Sequence, residues 1–262
     1  DLGSQFLAPL PFDQFNANVY ADLRNNDKVI NVEQLVFNSS DISLSGDLTV
    51  SVPENDKPSL SLIALAENVE SFNAKKFFPN QLMGEDLVNY LNGALQKGRI
   101  EQANVIFNGA LDEFPFGHGE GTFVVDAELI DGEFKFDSEW PEITSFAANL
   151  NFTNNEMLIT GRAGRLSGLA VEGVTAKIPQ LSHEQELLID AILTPTSPEY
   201  IKNLMDASPL ADSVGEALTA LAVEGKVQGD FQLRLPLDDV EQAVATGNVV
   251  FNDNRINLQS PQ

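Results

Sequence analysis

Strict alternation of apolar and polar side chains is the feature that most restricts this chain. From Asp41 to Val52, Ile42, Leu44, Gly46, Leu48, Val50 and Val52 fall on one side, and Asp41, Ser43, Ser45, Asp47, Thr49 and Ser51 on the other. Successive side chains of an extended strand point to opposite faces, so this spacing predicts a strand with one face buried and one in water. Phe146, Ala148, Leu150 and Phe152 repeat the pattern against Ser145, Ala147, Asn149 and Asn151. Val227, Phe231, Leu233 and Leu235 repeat it against Gln228, Asp230, Gln232 and Arg234. The whole chain reads as mainly β, with about twelve strands.

Turn signals separate the alternating runs. Asn154-Asn155 divides Phe146–Phe152 from Met157 and Ile159, and Asn252-Asp253-Asn254 divides Val249 and Phe251 from Ile256 and Leu258. Asn and Asp tolerate the left-handed backbone of tight hairpins, and short connections make neighbouring strands antiparallel. Three short helices are expected. Gly84–Gln96 places Leu87, Tyr90, Leu91 and Leu95 on one face, Ser197-Pro198 starts a second helix through Met205, and a third runs from about Leu210 to Val223. Ala94-Leu95-Gln96-Lys97-Gly98-Arg99-Ile100 resembles Leu221-Ala222-Val223-Glu224-Gly225-Lys226-Val227. This weak repeat divides one continuous chain into two helix-plus-sheet modules, about 1–136 and 137–262.

An area estimate sharpens the expectation. Twelve strands spaced about 4.8 Å apart and roughly 28 Å tall present a face of about 1,600 Å². Three helices of about thirteen residues cover roughly 500–600 Å² of it. Exposing the remaining ~1,000 Å² of apolar surface would cost about 25 kcal/mol, more than the net stability of a domain. Two solutions follow. The sheet closes into a sandwich whose inner faces satisfy each other, or it curls into an open trough whose lining holds an apolar ligand.

Composition excludes several classes of function. Fifteen basic residues against thirty-nine acidic ones give a net charge of −24. Phosphate contacts need Lys and Arg, so nucleic acid is excluded as a partner. With no cysteine there is no disulfide, thiolate nucleophile or cysteine-ligated zinc. His118 and His183 are the only histidines, and neither HExxH nor G-x-S-x-G occurs, so no enzyme activity is expected. Gly117-His118-Gly119-Glu120-Gly121 lacks the following helix and lysine of a phosphate loop, and reads as a hairpin connection. The carboxylates from Asp126 to Glu142 and at Asp238, Asp239 and Glu241 show no calcium-loop spacing. Trp140 before Pro141 reads as packing over a sheet edge, and no metal or cofactor is expected. The chain opens at Asp1 without a signal-like segment and contains no run long enough to cross a bilayer, so it reads as part of a longer protein.

An ordered set of motifs then carries a family resemblance. Phe77-Phe78-Pro79-Asn80-Gln81-Leu82-Met83 leads into the first helix and on to Lys97-Gly98-Arg99-Ile100. Phe107-Asn108-Gly109-Ala110-Leu111, Phe114-Pro115-Phe116 and Gly121-Thr122-Phe123 follow, then Phe134-Lys135-Phe136 and Trp140-Pro141-Glu142-Ile143. Ser208-Pro209-Leu210 and Leu233-Arg234-Leu235-Pro236-Leu237 complete a match over about residues 28–258. In this order the motifs resemble the periplasmic part of the YhdP branch of AsmA-like bacterial envelope proteins.

The resemblance implies an elongated, twisted antiparallel sheet curled into an open apolar groove. It implies a periplasmic segment, tethered to the inner membrane by an N-terminal helix outside this chain, that carries phospholipid towards the outer membrane and supports its barrier. The partners implied are phospholipid acyl chains and, at both ends, the rest of the same protein. The lining residues expected from the apolar stripes are Ile42, Leu44, Leu48, Val50, Phe123, Val125, Leu129, Phe146, Leu150, Phe152, Phe231, Leu233, Val249 and Phe251. Residue patterning by itself leaves the alternative open: a closed β-sandwich binding or adhesion module without lipid.

Overall fold

A computed structural model describes residues 12–24, 27–70, 93–181, 186–219, 221–237 and 242–258. Its first strands are β1 (Gln14–Asp22), β2 (Lys28–Asn38), β3 (Ser43–Val52), β4 (Ser59–Glu70) and β5 (Leu95–Ala110). Then come β6 (Thr122–Phe134), β7 (Ile143–Thr153), β8 (Glu156–Leu166), β9 (Leu169–Ala170) and β10 (Thr175–Ile178). The last are β11 (Glu186–Thr196), β12 (Leu221–Glu224), β13 (Val227–Pro236), β14 (Val244–Phe251) and β15 (Arg255–Leu258). Thirteen strands form one antiparallel sheet in the order β1-β2-β3-β4-β5-β6-β7-β8-β10-β11-β13-β14, with β9 beside β8. β12 and β15 form a separate two-stranded ribbon. The sheet is open, with β1 and β14 at its edges, so the closed sandwich is overturned.

The register accounts for the alternation seen in the sequence. Directly paired residues run across every strand of the path as Phe15, Phe37, Leu44, Ala66, Ala103, Ala127, Leu150, Ile159, Ala176, Ile189, Leu233 and Ala245. Each of these residues is apolar. The adjacent row, one residue away on each strand, reads Gln14, Asn38, Ser43, Glu67, Gln102, Glu128, Asn149, Thr160, Thr175, Asp190, Gln232 and Thr246. Each of these is polar and points to the opposite face. A one-residue slip anywhere would exchange the two rows beyond that point, so the pattern pins the register.

A line of irregular residues crosses the sheet and breaks this regularity. Gln34 in β2, Asn68 in β4, Gly98 in β5, Asp131 in β6, Ser145 in β7 and Gly164 in β8 all have positive φ. Register shifts accompany Gln34, Gly98, Asp131 and Ser145. Bulges bend a strand and increase its twist, so consecutive bulges make a crease. At Gly98 the approach is close: a Cβ there would lie 2.9 Å from Gly132 Cα and 2.9 Å from Leu129 Cδ1.

Three expectations about local structure are corrected or bounded. Only the second of three expected helices forms fully among the described residues, as α1 (Pro198–Asp206), with Ser197 Oγ accepting from the Glu199 N–H. Leu210–Val223 is instead a π turn at Ala211–Gly215, a single α turn at Glu216–Thr219 and then β12. Apolar spacing alone does not separate these outcomes, and strand pairing with β15 takes the last residues. Most of Gly84–Gln96 lies outside the described residues, and its end at Leu95 already belongs to β5. Asn154-Asn155 makes the expected two-residue hairpin, with Asn154 at φ 51°. Asn252-Asp253-Asn254 does not turn the chain back. It is a kink between β14 and β15, matched by Gly225 between β12 and β13, and Asn254 Nδ2 donates to the carbonyls of Glu224 and Lys226 across it.

The crease makes a direct stability prediction. Gly98→Ala should lower unfolding free energy by about 1–3 kcal/mol, because it adds both left-handed strain and a backbone clash. Gly119→Ala has comparable strain (φ 88°) but open space around it, and should lose only about 1 kcal/mol. Urea titration of both variants checks the difference.

Candidate functional site

The apolar face of the sheet is packed in its middle and uncovered at its sides. Leu129, Ala148, Met157, Ile178 and Leu187 are fully buried, and Leu235 nearly so. At the flanks, Phe15 is 56% exposed, Val19 61% and Phe251 43%. Each large apolar side chain buried in the middle stabilises by about 1.5–3 kcal/mol relative to exposure.

An aromatic cap closes the face where β5 meets β6. Phe114 and Phe116, on either side of Pro115, both pack on Phe107, and Phe116 is buried. Phe116 lies 5.2 Å edge-on from Phe107, and Phe114 lies 5.1 Å from Phe123, both between ring centroids. Phe116 fits because Gly109 and Gly121 carry no side chain; Cβ atoms there would come within 2.7 and 2.5 Å of its ring. Asn154 fixes this end by accepting from the Phe123 N–H at 2.8 Å. The spaced motif Phe107…Gly109…Phe114-Pro115-Phe116…Gly121…Phe123 is therefore one packing unit.

A second cap lies at the opposite ends of the same strands, beyond the crease. Phe134 meets Phe146 at 5.7 Å, and Phe136 meets Trp140 at 5.4 Å. Leu169, Val171 and the helical residues Leu204 and Met205 are buried in the same core. Tyr200 of α1 crosses Gly168, where a Cβ would lie 2.5 Å from its ring.

The structure places all fourteen candidate lining residues on this face. Ile42, just before β3, together with Leu129, Phe146 and Leu233, is buried in the core. Leu44, Leu48, Val50, Phe123, Val125, Leu150, Phe152 and Phe231 are half-buried, and Val249 and Phe251 are exposed. An open groove running the full length of the face is not shown by the described residues, because the middle strands are capped. The alanines of the apolar row, Ala66, Ala103, Ala127, Ala176 and Ala245, and the aromatic Phe37 escaped the list of candidates. The same period of two would have found them.

The opposite face is wet and cross-linked by polar pairs. Gln232 Nε2 donates to Asp190 at 2.7 Å, and Lys177 pairs with Glu156 at 2.7 Å. Lys97 pairs with Glu133 at 2.7 Å, a contact that raises the lysine pKa above its ordinary value. Among the described residues no cluster of three or more His, Asp or Glu side chains could hold a metal ion, and no helix is long and apolar enough to cross a membrane.

Comparison with known proteins agrees with the motif order. The family model described as "YhdP protein" matches residues 1–262. A curated relative, "Intermembrane phospholipid transporter YhdP" of Escherichia coli (strain K12), is 34% identical over 204 residues. That alignment covers 78% of this chain and 16% of the relative, so the chain corresponds to a small part of that protein's length. No solved structure matches the chain.

The cap can be tested independently of any relative. Phe116→Ala should cost about 3–5 kcal/mol, since the two glycines that frame the ring cannot fill the cavity. Ile192→Ala, at a side chain 79% exposed on the other face, should stay within about 0.5 kcal/mol of the parent. Chemical denaturation followed by tryptophan fluorescence checks both, with Trp140 as the single reporter.

Proposed function

The chain belongs to the YhdP family, and from that premise we propose that its apolar face shields phospholipid acyl chains on their way between two membranes. One observation carries the reading: a row of twelve apolar residues, one per strand, backed by a row of twelve polar ones. Each acyl CH₂ exposed to water costs about 0.8 kcal/mol, so a continuous apolar lining lowers the barrier to moving a tail along it. A polar reverse face keeps such a lining in solution. The relative's description as an intermembrane phospholipid transporter supports the same assignment.

The half-buried and exposed members of the face are the contacts: Leu44, Leu48, Val50, Phe123, Val125 and Leu150, with Phe152, Phe231, Val249 and Phe251. Ile42, Leu129, Phe146 and Leu233 support them from within the core. No step of this function requires bond making or breaking. In the cell the segment works in the periplasm, as one part of a longer groove anchored to the inner membrane elsewhere in the protein, and it helps maintain the outer-membrane barrier.

Native mass spectrometry of protein purified without detergent tests the proposal. Bound phospholipid is expected on the parent, and most of it should be lost from Leu48→Asp but retained by Thr49→Asp, one residue along on the polar face. An apo parent that also fails to take up lipid from vesicles would sink the reading.

A further inference from the structure

We infer that this surface selects phospholipids without net negative charge, and that the chain's own carboxylates turn anionic headgroups away; the inference rests on the acyl-chain reading above. Acyl chains on the apolar face place the headgroup at a rim of the sheet or over its uncovered flanks. Acids outnumber bases in the sequence around both capped ends. In the sequence, Asp112, Glu113 and Glu120 flank Phe114 and Phe116, with Lys57 shared between the first two, and Asp131, Glu133, Asp137 and Glu139 flank the Phe134–Trp140 segment, against Lys97 on Glu133 and Lys135 within the segment. Behind the apolar row, Glu67, Glu128 and Asp190 stand on the other side of a single sheet.

Among the described residues, eight of the thirteen basic side chains are already paired with carboxylates, which leaves Lys28, Arg99, Lys135, Arg165 and Lys226. Arg24, Lys57, Lys97 and Arg162 are paired with Asp22, Asp112 and Glu113, Glu133 and Glu128. Lys177, Lys202, Arg234 and Arg255 are paired with Glu156, Asp206, Glu186 and Glu224. The chain as a whole carries −24. Screening acts over about 10 Å at 0.1 M salt, so acids within that distance of a headgroup act on it whichever face of the sheet they occupy. A phosphatidylglycerol-type headgroup keeps a full negative charge against that field. A phosphatidylethanolamine-type headgroup is neutral overall and can turn its ammonium towards the carboxylates.

The test loads the protein from vesicles containing equal amounts of phosphatidylethanolamine and phosphatidylglycerol with identical acyl chains. Bound lipid is then quantified by mass spectrometry. At about 20 mM salt, where screening is weak, the zwitterionic lipid should exceed the anionic one by about tenfold, and at about 500 mM the ratio should fall towards one. Equal loading at low salt, or a ratio indifferent to salt, overturns the electrostatic selection and leaves the acyl-chain reading standing. No loading of either lipid overturns both.

Discussion

Everything in this fold depends on the register of antiparallel pairing. A strand turns successive side chains to opposite faces, so twelve strands share one apolar face only if every pairing keeps the same parity. Here it does, from Phe15 on the first strand to Ala245 on the last. The constraint is unforgiving, because no later element can rescue a strand that slips by one residue. It also explains why the polar face is as regular as the apolar one: Glu67, Gln102 and Glu128 are the unavoidable neighbours of Ala66, Ala103 and Ala127.

Parity fixes which residues face inward, but the crease and the caps decide which of them are buried. The bulges at Gly98, Asp131 and Ser145 bend the middle strands where flat pleating would leave the face open. The two aromatic clusters then close the ends of those strands. Phe116 reaches the sheet only because two glycines lie beneath it, and Trp140 only because the segment after β6 folds back across the face. The outcome is a packed centre with uncovered flanks, where Val19 and Phe251 remain in water.

Most of the sheet was legible in the sequence because period two is a direct imprint of strand geometry. The β3, β7 and β13 segments follow their alternating stretches closely, and Ser197-Pro198 marks the helix start in chemistry that only a first turn uses. What escaped shares a physical cause: the same residues satisfy more than one backbone solution. Asn252-Asp253-Asn254 offers the left-handed conformation of a hairpin, yet a kink uses it equally well. Leu210–Val223 spaces its apolar residues for a helix, but Leu221–Glu224 finds a strand partner far along the chain in Arg255–Leu258. The alanines of the apolar row carry too little hydrophobic contrast to stand out beside Phe and Leu. The packing of Phe114-Pro115-Phe116 depends on glycines five to seven residues away on either side, a relation that no local pattern encodes.

The central claim is that one face of the sheet, and not the other, meets lipid. A photo-crosslinking amino acid placed in turn at positions 44, 45 and 47 to 51 of the full-length protein tests it most directly, because adjacent positions alternate between the two faces; Gly46 is left out because a side chain there would strike the Ile63 carbonyl. Lipid adducts at Leu44, Leu48 and Val50, with none at Ser45, Asp47, Thr49 and Ser51, are the predicted result. Adducts on both sets, on the polar set alone, or at no position would contradict it.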